Sequence, residues 1–201
     1  MIAAVVLAAG ASSRMGVAKQ TLDLEGVPML ERVLATFRRS KVGRVVVVIG
    51  AHADDVRRCV GFADEVIVEN KKYAKGMSGS LRIGLKKVGE AEAAFIALGD
   101  QPYVRPETVD RMMAAYERTR ARIVIPTYRG TRGNPVLFDR SVFPQIERVR
   151  GDVGARSVVH RNAAQVLEVE VSDLGVLVDL DTPSDMARRA GFRKRRTLKR
   201  A

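Results

Sequence analysis

The 201-residue chain has one cysteine, no tryptophan and only two histidines. A single cysteine excludes an internal disulfide framework and is typical of a reducing compartment, so we expect a cytoplasmic protein. Cys59 lies near the end of a predicted helix, where we expect a buried structural thiol rather than a nucleophile. His52 and His160 do not have the spacing of metal ligands.

Aromatic residues make up only 5% of the chain, although its net charge is +12. Stacking surfaces for single-stranded nucleic acid need aromatic side chains, so the sequence predicts no specific nucleic-acid partner. Half of the excess charge comes from six basic residues near the carboxyl terminus: Arg193, Lys194, Arg195, Arg196, Lys199 and Arg200. We expect residues 192–201 to form a disordered basic tail and residues 1–191 to form a single domain.

Long hydrophobic runs are also missing. The apolar segment 2–9 is too short to span a membrane and has no basic leader, so no membrane partner is expected. Apolar runs alternate with amphipathic segments along the chain, which predicts a three-layer, doubly wound, mainly parallel α/β sheet. We expect further strands at 21–24 and 176–180, and a last helix at 183–190. Ligands of such sheets bind beyond the carboxyl ends of the strands.

A loop rich in small residues follows the first predicted strand and contains two cations, Arg14 and Lys19. Small residues let the backbone approach a ligand, and the backbone N–H groups of such loops bind anions. Arg14 can donate to two phosphate oxygens, while Lys19 provides a point charge. The spacing fits neither a Walker loop nor a dinucleotide-binding loop. We therefore predict a phosphate-binding loop built from the following residues: Leu7, Ala8, Ala9, Gly10, Ser12, Arg14 and Lys19.

Acidic residues follow two later apolar segments. Asp100 follows the predicted strand that ends at Leu98, and Asp179 and Asp181 lie near the end of the chain. Carboxylates at strand ends can hold Mg²⁺ against phosphates, because Mg²⁺ keeps the rest of its shell for waters and phosphate oxygens. The sequence therefore predicts a magnesium site at Asp100 with Asp179 or Asp181. Helix capping by Asp181 is an alternative that can hold at the same time.

The segment 7–19 resembles the signature L-A-x-G-x-S-x-R-M-G-x-x-K of nucleotidyltransferases with a molybdenum-cofactor or sugar-phosphate acceptor. Every fixed position of that pattern is present. Segments 99–102 (G-D-Q-P) and 151–156 (G-D-V-G-A-R) are similar to the molybdopterin branch of this NTP transferase superfamily. The resemblance extends from Leu7 to about Asp185. It implies a Rossmann-like nucleotidyltransferase fold.

The resemblance also implies a reaction: transfer of a nucleoside monophosphate from an NTP to an acceptor phosphate, with release of pyrophosphate and with Mg²⁺. Arg14, Lys19 and Asp100 would be catalytic, and Ser78 and Ser80, in a G-M-S-x-S-L segment, would lie near the nucleotide. Three further residues would bind the acceptor: Arg132, Asn134 and Arg156. Asn134 stands where this branch often has histidine, so an acid–base role there is in doubt.

By the same resemblance, the motif L-A-A-G around Ala9 is similar to that of enzymes that use CTP, whereas enzymes that use GTP have L-A-G-G. Ala9 thus implies the molybdenum cofactor cytidylyltransferase type, with molybdopterin cofactor as acceptor and a molybdoenzyme as a further partner. A GTP-using molybdopterin guanylyltransferase and a sugar-phosphate nucleotidyltransferase are the enzyme alternatives. An alternative of another class is a non-catalytic chaperone that inserts a nucleotide-bearing cofactor into a molybdoenzyme.

Overall fold

The computed structural model describes residues 1–12 and 18–181. Within these ranges, one sheet contains eight strands: β1 (Ile2–Ala8), β2 (Arg44–Ile49), β3 (Val66–Glu69), β4 (Ala93–Leu98), β5 (Ile123–Tyr128), β6 (Thr131–Arg132), β7 (Val136–Asp139) and β8 (Val166–Glu170). The same ranges contain six α-helices: α1 (Met29–Arg38), α2 (Ala53–Cys59), α3 (Met77–Leu85), α4 (Pro106–Thr119), α5 (Phe143–Glu147) and α6 (Arg156–Arg161).

The strand order is β3-β2-β1-β4-β7-β5-β6, and β8 also pairs with β5. β1 is parallel to both of its neighbours, β2 and β4. β7 runs antiparallel between β4 and β5, whereas β8 is parallel to β5. The sheet is therefore mainly parallel, which confirms the predicted fold class. The carboxyl ends of β1 and β4 lie side by side, because Leu7 is paired with Leu98.

Helices cover both faces of the sheet and produce two hydrophobic cores. β1 is buried along its whole length, and its successive side chains enter opposite cores. One core contains Val6 together with residues of α1, α2 and α4, such as Leu34 and Met112. The other contains Val5 with residues of α3, α5 and α6, such as Leu81 and Ile146. This two-sided burial explains the continuous apolar run at the start of the sequence.

Two predicted strands are wrong. Residues 19–21 form a 3-10 turn in place of the start of a strand at 21–24. Over 176–180 there is no strand either, and a 3-10 helix, Leu174–Leu177, occupies the start of that segment. Buried Asp173 caps this turn by accepting from the backbone N–H of Gly175 at 3.0 Å, and it also accepts from Thr108 at 2.7 Å. The local cap and the tertiary contact with Thr108 together outweigh the strand preference of the apolar residues.

Cys59 was expected to be buried, and this expectation is also wrong. Its side chain is exposed at the end of α2, whose buried residues are Ala53 and Val56. The predicted helix 183–190 and the tail 192–201 lie outside the described residues. Among the helices of the described ranges, none has the length and apolar character needed to cross a membrane.

Candidate active site

A cleft of about 650 Å³ opens at the carboxyl ends of β1 and β4. The loop after β1, residues 7–11, forms one wall, and residues 98–100 after β4 form the floor. Residues 73–77, which lead into α3, form the opposite wall together with Ser80 and Asp152. Of the predicted nucleotide-binding residues, Leu7, Ala8, Ala9, Gly10, Lys19 and Ser80 line this cleft.

Gln20 organises the loop after β1. Its side chain is 2% exposed, and its Nε2 donates to the carbonyl oxygens of Ala8 at 3.1 Å and Gly10 at 3.2 Å. Ser12 Oγ lies 3.4 Å from the Gln20 Oε1 that accepts its proton, and it accepts from the backbone N–H of Lys19 at 3.2 Å. Ser12 therefore ties the two ends of the loop together. Arg14, the other predicted cation of the loop, lies outside the described residues.

Lys19 joins two acidic residues that are distant in sequence. Its Nζ donates to Asp100 Oδ2 at 2.5 Å and to Asp181 Oδ1 at 3.0 Å. Burial lowers the pKa of Lys19, but the carboxylates of Asp100 and Asp181 raise it by more, so it lies above its ordinary value of 10.5. Lys19 is therefore an ammonium cation at neutral pH, and it is only 16% exposed.

Asp179 belongs to the same acidic cluster, although it does not lie on a strand as predicted. Gln101 Nε2 donates to Asp179 Oδ1 at 2.6 Å. The pKa of Asp179 is raised, first by burial and then by the negative charges of Asp100 and Asp181, which outweigh the Gln101 hydrogen bond. Three carboxylates thus converge near one ammonium group, and a further cation would relieve their repulsion.

The donor atoms fit a metal site completed by substrate. Within residues 1–12 and 18–181, no group of three His, Cys, Asp or Glu side chains could hold a metal ion by itself. Mg²⁺ in phosphate-transfer sites needs only one or two carboxylates, because phosphates and waters complete its shell. Asp100 Oδ1 is buried and has no hydrogen-bond partner in the described structure, so it is available as such a ligand. The predicted use of Asp100, Asp179 and Asp181 is compatible with this arrangement and stays a prediction.

The two predicted serines at the start of α3 lie in different places. Ser80 lines the cleft, and its Oγ accepts from Asn70 Nδ2 at 3.0 Å. Ser78 is buried outside the cleft, and its backbone N–H donates to Gly151 at 3.2 Å. Sequence reasoning missed buried Asn70, which fixes the Ser80 hydroxyl.

Two exposed hydrophobic side chains, Tyr73 and Met77, stand at the rim of the cleft and were also missed. A prediction of burial from the sequence could have marked this tyrosine and this methionine as exposed, and exposed side chains of these two types often contact ligands.

Ala9 lies at a point of close backbone approach. A Cβ atom at Gly50 would stand 2.7 Å from the Ala9 carbonyl oxygen and 2.8 Å from the Ala9 methyl carbon. Glycine at position 50 therefore lets the end of β2 pack directly on the loop. Because this contact supports it from behind, Ala9 holds a fixed position in the cleft wall.

The predicted acceptor residues do not line this cleft. Arg132 is exposed on the short strand β6 and pairs with Glu168 at 2.7 Å. Asn134 precedes a cis peptide bond to Pro135, and its backbone N–H donates to Val176 at 2.9 Å. Arg156 is exposed at the start of α6. Their predicted contact with an acceptor stays a prediction.

Residues 4–166 match the model of the MobA-like NTP transferase domain. The chain belongs to this family. It is thus a nucleotidyltransferase of the MobA-like type, and the resemblance found in the sequence is confirmed. Relatives of the chain have names that indicate different activities, so membership of the family alone does not identify a substrate.

Three curated relatives match this MobA-like chain over nearly its whole length. Purine catabolism protein PucB of Bacillus subtilis is 30% identical, covering 92% of this chain and 95% of that protein. Nicotine blue oxidoreductase of Paenarthrobacter nicotinovorans is 29% identical, covering 93% and 95%. Molybdenum cofactor cytidylyltransferase of Escherichia coli is 24% identical, covering 90% and 91%.

Solved structures have the same architecture. A homologue of Rv0371c from Mycobacterium sp. strain JC1 is 31% identical, with a TM-score of 0.85 and coverage of 96% of this chain and 97% of that one. Rv0371c of Mycobacterium tuberculosis H37Rv in complex with manganese is 30% identical, with a TM-score of 0.79 and coverage of 93% and 96%.

Proposed function

We propose that this MobA-like nucleotidyltransferase transfers CMP from CTP to the phosphate of molybdopterin cofactor and releases pyrophosphate, with Mg²⁺ as cofactor. The observation that carries the proposal is the convergence of Lys19, Asp100 and Asp181 beside the small-residue loop after β1. Cationic and metal-binding groups at one end of a cleft are what a bound triphosphate requires.

The chemistry needs alignment and charge neutralisation more than proton transfer. An oxygen of the acceptor phosphate attacks the α-phosphorus of CTP and forms a new P–O bond. The bond between the α-phosphorus and the bridging oxygen breaks, and its electron pair leaves with pyrophosphate. A phosphate oxygen is already ionised at neutral pH, so no enzymic base is required. Loop backbone N–H groups, Arg14 and Lys19 would hold the triphosphate in line with the acceptor.

A bound divalent ion would neutralise charge on the triphosphate oxygens. Asp100 would hold it through the carboxyl oxygen that has no partner, with Asp179 or Asp181 as the second ligand. When the carboxylates gain that partner, Lys19 can turn from Asp100 toward the phosphates. The similar Rv0371c structure in complex with manganese supports a divalent ion in this family.

CTP as the nucleotide is supported by Ala9 and by the Escherichia coli cytidylyltransferase, which is 24% identical. Ala9 lines the cleft, and its methyl group packs against Gly50 at the end of β2. One methyl group discriminates between substrates by only about 10–200-fold, so GTP remains the alternative nucleotide. Sugar phosphates remain the alternative acceptors. The intact set of Lys19, Asp100 and Asp181 favours an enzyme over a non-catalytic insertion chaperone.

A second candidate function comes from the 29% identical nicotine blue oxidoreductase. The name of that relative indicates a redox reaction, whose substrate Tyr73 at the cleft rim could contact. The two candidates differ in product, because only nucleotidyl transfer releases pyrophosphate.

A pyrophosphate-release screen tests the proposal. CTP, GTP, ATP and UTP are each offered with molybdopterin cofactor and with sugar 1-phosphates, with and without Mg²⁺. We expect the highest rate with CTP, molybdopterin cofactor and Mg²⁺ together. Release with a sugar phosphate alone would replace the acceptor. Absence of release in every combination would contradict nucleotidyl transfer and would favour the redox candidate.

A further inference from the structure

A second cavity, of about 660 Å³, lies between α5 and α6 and has a strongly basic lining. Three of its lining residues are arginines: Arg148, Arg150 and Arg161. The polar residues Gln145 and Ser157 also line it, and no acidic residue does. None of these residues takes part in the chemistry proposed for the cleft at β1 and β4.

Most N–H donors of the three guanidinium groups have no hydrogen-bond acceptor among the described residues. Arg148 and Arg161 have no side-chain hydrogen bond or ion pair with any residue in 1–12 or 18–181. Arg150 Nη1 donates to the backbone carbonyls of Glu147 at 2.9 Å and Val149 at 3.1 Å. The three arginines are exposed and each guanidinium carries five N–H donors, so most of these donors lack a protein acceptor and are open to solvent. Planar forks of this kind match phosphate oxygens in pairs.

The framework that carries these arginines is held in place. Asn162 is buried at the end of α6, and its Nδ2 donates to Gln145 Oε1 at 2.8 Å and to the Val158 carbonyl at 2.8 Å. The Gln145 side chain thus links α5 to the end of α6. Ser157 and Arg161 are four residues apart on α6 and therefore share one helix face. A fixed framework lowers the ordering cost of binding.

The loop between the two helices separates this cavity from the cleft. Val149, Arg150 and Val153 line the cavity, whereas Asp152 lines the cleft. Asp152 Oδ1 accepts from the backbone N–H of Met77 at 3.1 Å. A ligand held by the arginines would therefore contact the outer side of a loop whose inner side belongs to the cleft.

We infer that the cavity of Arg148, Arg150 and Arg161 is a second anion site, which binds a phosphate group of a small molecule. Three cations in a cavity that no acidic residue lines favour a polyanion, and the forked geometry favours phosphate over a spherical anion such as chloride. The inference does not depend on the function proposed for the cleft.

Calorimetric titration of the full-length chain with pyrophosphate in low-salt buffer tests this site. The background is Lys19→Met, which weakens phosphate binding in the cleft under the proposed function. We expect Lys19→Met protein to bind pyrophosphate, and the further pair Arg148→Ala and Arg161→Ala to weaken that binding at least tenfold. The matched control pair is Arg39→Ala and Arg118→Ala, which removes the same charge from exposed positions elsewhere. We expect the control pair to leave binding unchanged.

The inference would be overturned if the Arg148→Ala/Arg161→Ala variant bound pyrophosphate as tightly as its Lys19→Met parent. It would also be overturned if the control variant lost as much pyrophosphate affinity as the Arg148/Arg161 variant. Should the alanine pair unfold, Arg148→Lys with Arg161→Lys keeps the charge and loses the fork. Weaker binding then supports the site, and unchanged binding contradicts it. Parallel titrations with inorganic phosphate and CTP distinguish a free phosphate ligand from a nucleotide. If Lys19 has no role in the cleft, the parent binds two pyrophosphates, and the arginine pair still removes one of them.

Discussion

The ammonium group of Lys19 lies 2.5 Å from the carboxylate of Asp100, although 81 residues separate the two in the sequence. The pairing of β1 with β4 brings both residues to the same end of the sheet. Lys19 is thus the counter-ion of the carboxylate that we propose as a metal ligand. We expect a metal–triphosphate complex to bind the free Asp100 Oδ1 and to draw Lys19 Nζ toward a phosphate oxygen.

Lys19→Met is expected to weaken CTP binding at least tenfold, because a buried cation that faces the triphosphate is lost. The same change removes a competitor for Asp100, so binding of Mn²⁺ without nucleotide should become tighter. Calorimetry measures the first effect and electron paramagnetic resonance of free Mn²⁺ the second. Unchanged affinity for CTP would contradict the proposed role of the loop.

Asp100→Asn is expected to lower turnover by about 10²–10³-fold, a typical cost of losing a group that stabilises charge in the transition state. The fold should survive, since the amide can keep the shape of the side chain. Steady-state rates and circular dichroism check the two parts. Asp54→Asn is the matched control, because the Asp54 side chain is 96% exposed on α2. A variant at Asp100 with near-normal turnover would refute the metal assignment.

Gln20→Ala is expected to destabilise the chain by about 1–3 kcal/mol, since it leaves the Ala8 and Gly10 carbonyls without their side-chain donor. CTP affinity should fall with it, because these carbonyls belong to the loop that lines the cleft. Urea unfolding gives the free energy, and CTP titration gives the affinity. A stable variant with normal CTP binding would show that Gln20 does not organise the loop.

The sequence predicts the framework of this site better than its details. The apolar runs of β1 and β4 and the rule that ligands bind at carboxyl ends of parallel strands suffice to bring Lys19 near Asp100. Gln20 and Asn70 could not be recognised, because their importance comes from burial beside partners that only the folded chain supplies. The missing strand at 176–180 has a similar cause, since Asp173 and the approach of Gly175 to Tyr103 impose a turn.

The raised pKa of Asp179 predicts a pH-dependent effect on stability. The Asp179 carboxyl loses its proton less readily in the folded chain than in the unfolded chain, where its pKa is the ordinary 3.8. Ionisation of Asp179 therefore lowers the free energy of unfolding once the pH rises above 3.8. Asp179→Asn should therefore increase the free energy of unfolding at pH 7, with a gain that vanishes near pH 3. Urea unfolding at both pH values measures it.

Mg²⁺ provides the control for that experiment. The ion should stabilise the wild-type chain at pH 7, because it relieves the same repulsion, and it should stabilise Asp179→Asn less. A variant that is less stable than wild type at pH 7 and equally responsive to Mg²⁺ would contradict the presence of repulsion at Asp179.

A crystal structure of the chain with CTP and Mn²⁺ tests the central claim most directly, because anomalous scattering locates the metal. We predict Mn²⁺ within about 2.2 Å of an Asp100 carboxyl oxygen, with the triphosphate in the cleft and Lys19 Nζ moved from Asp100 to a phosphate oxygen. A triphosphate bound away from the loop after β1, or a metal ion that does not contact Asp100, would contradict the account.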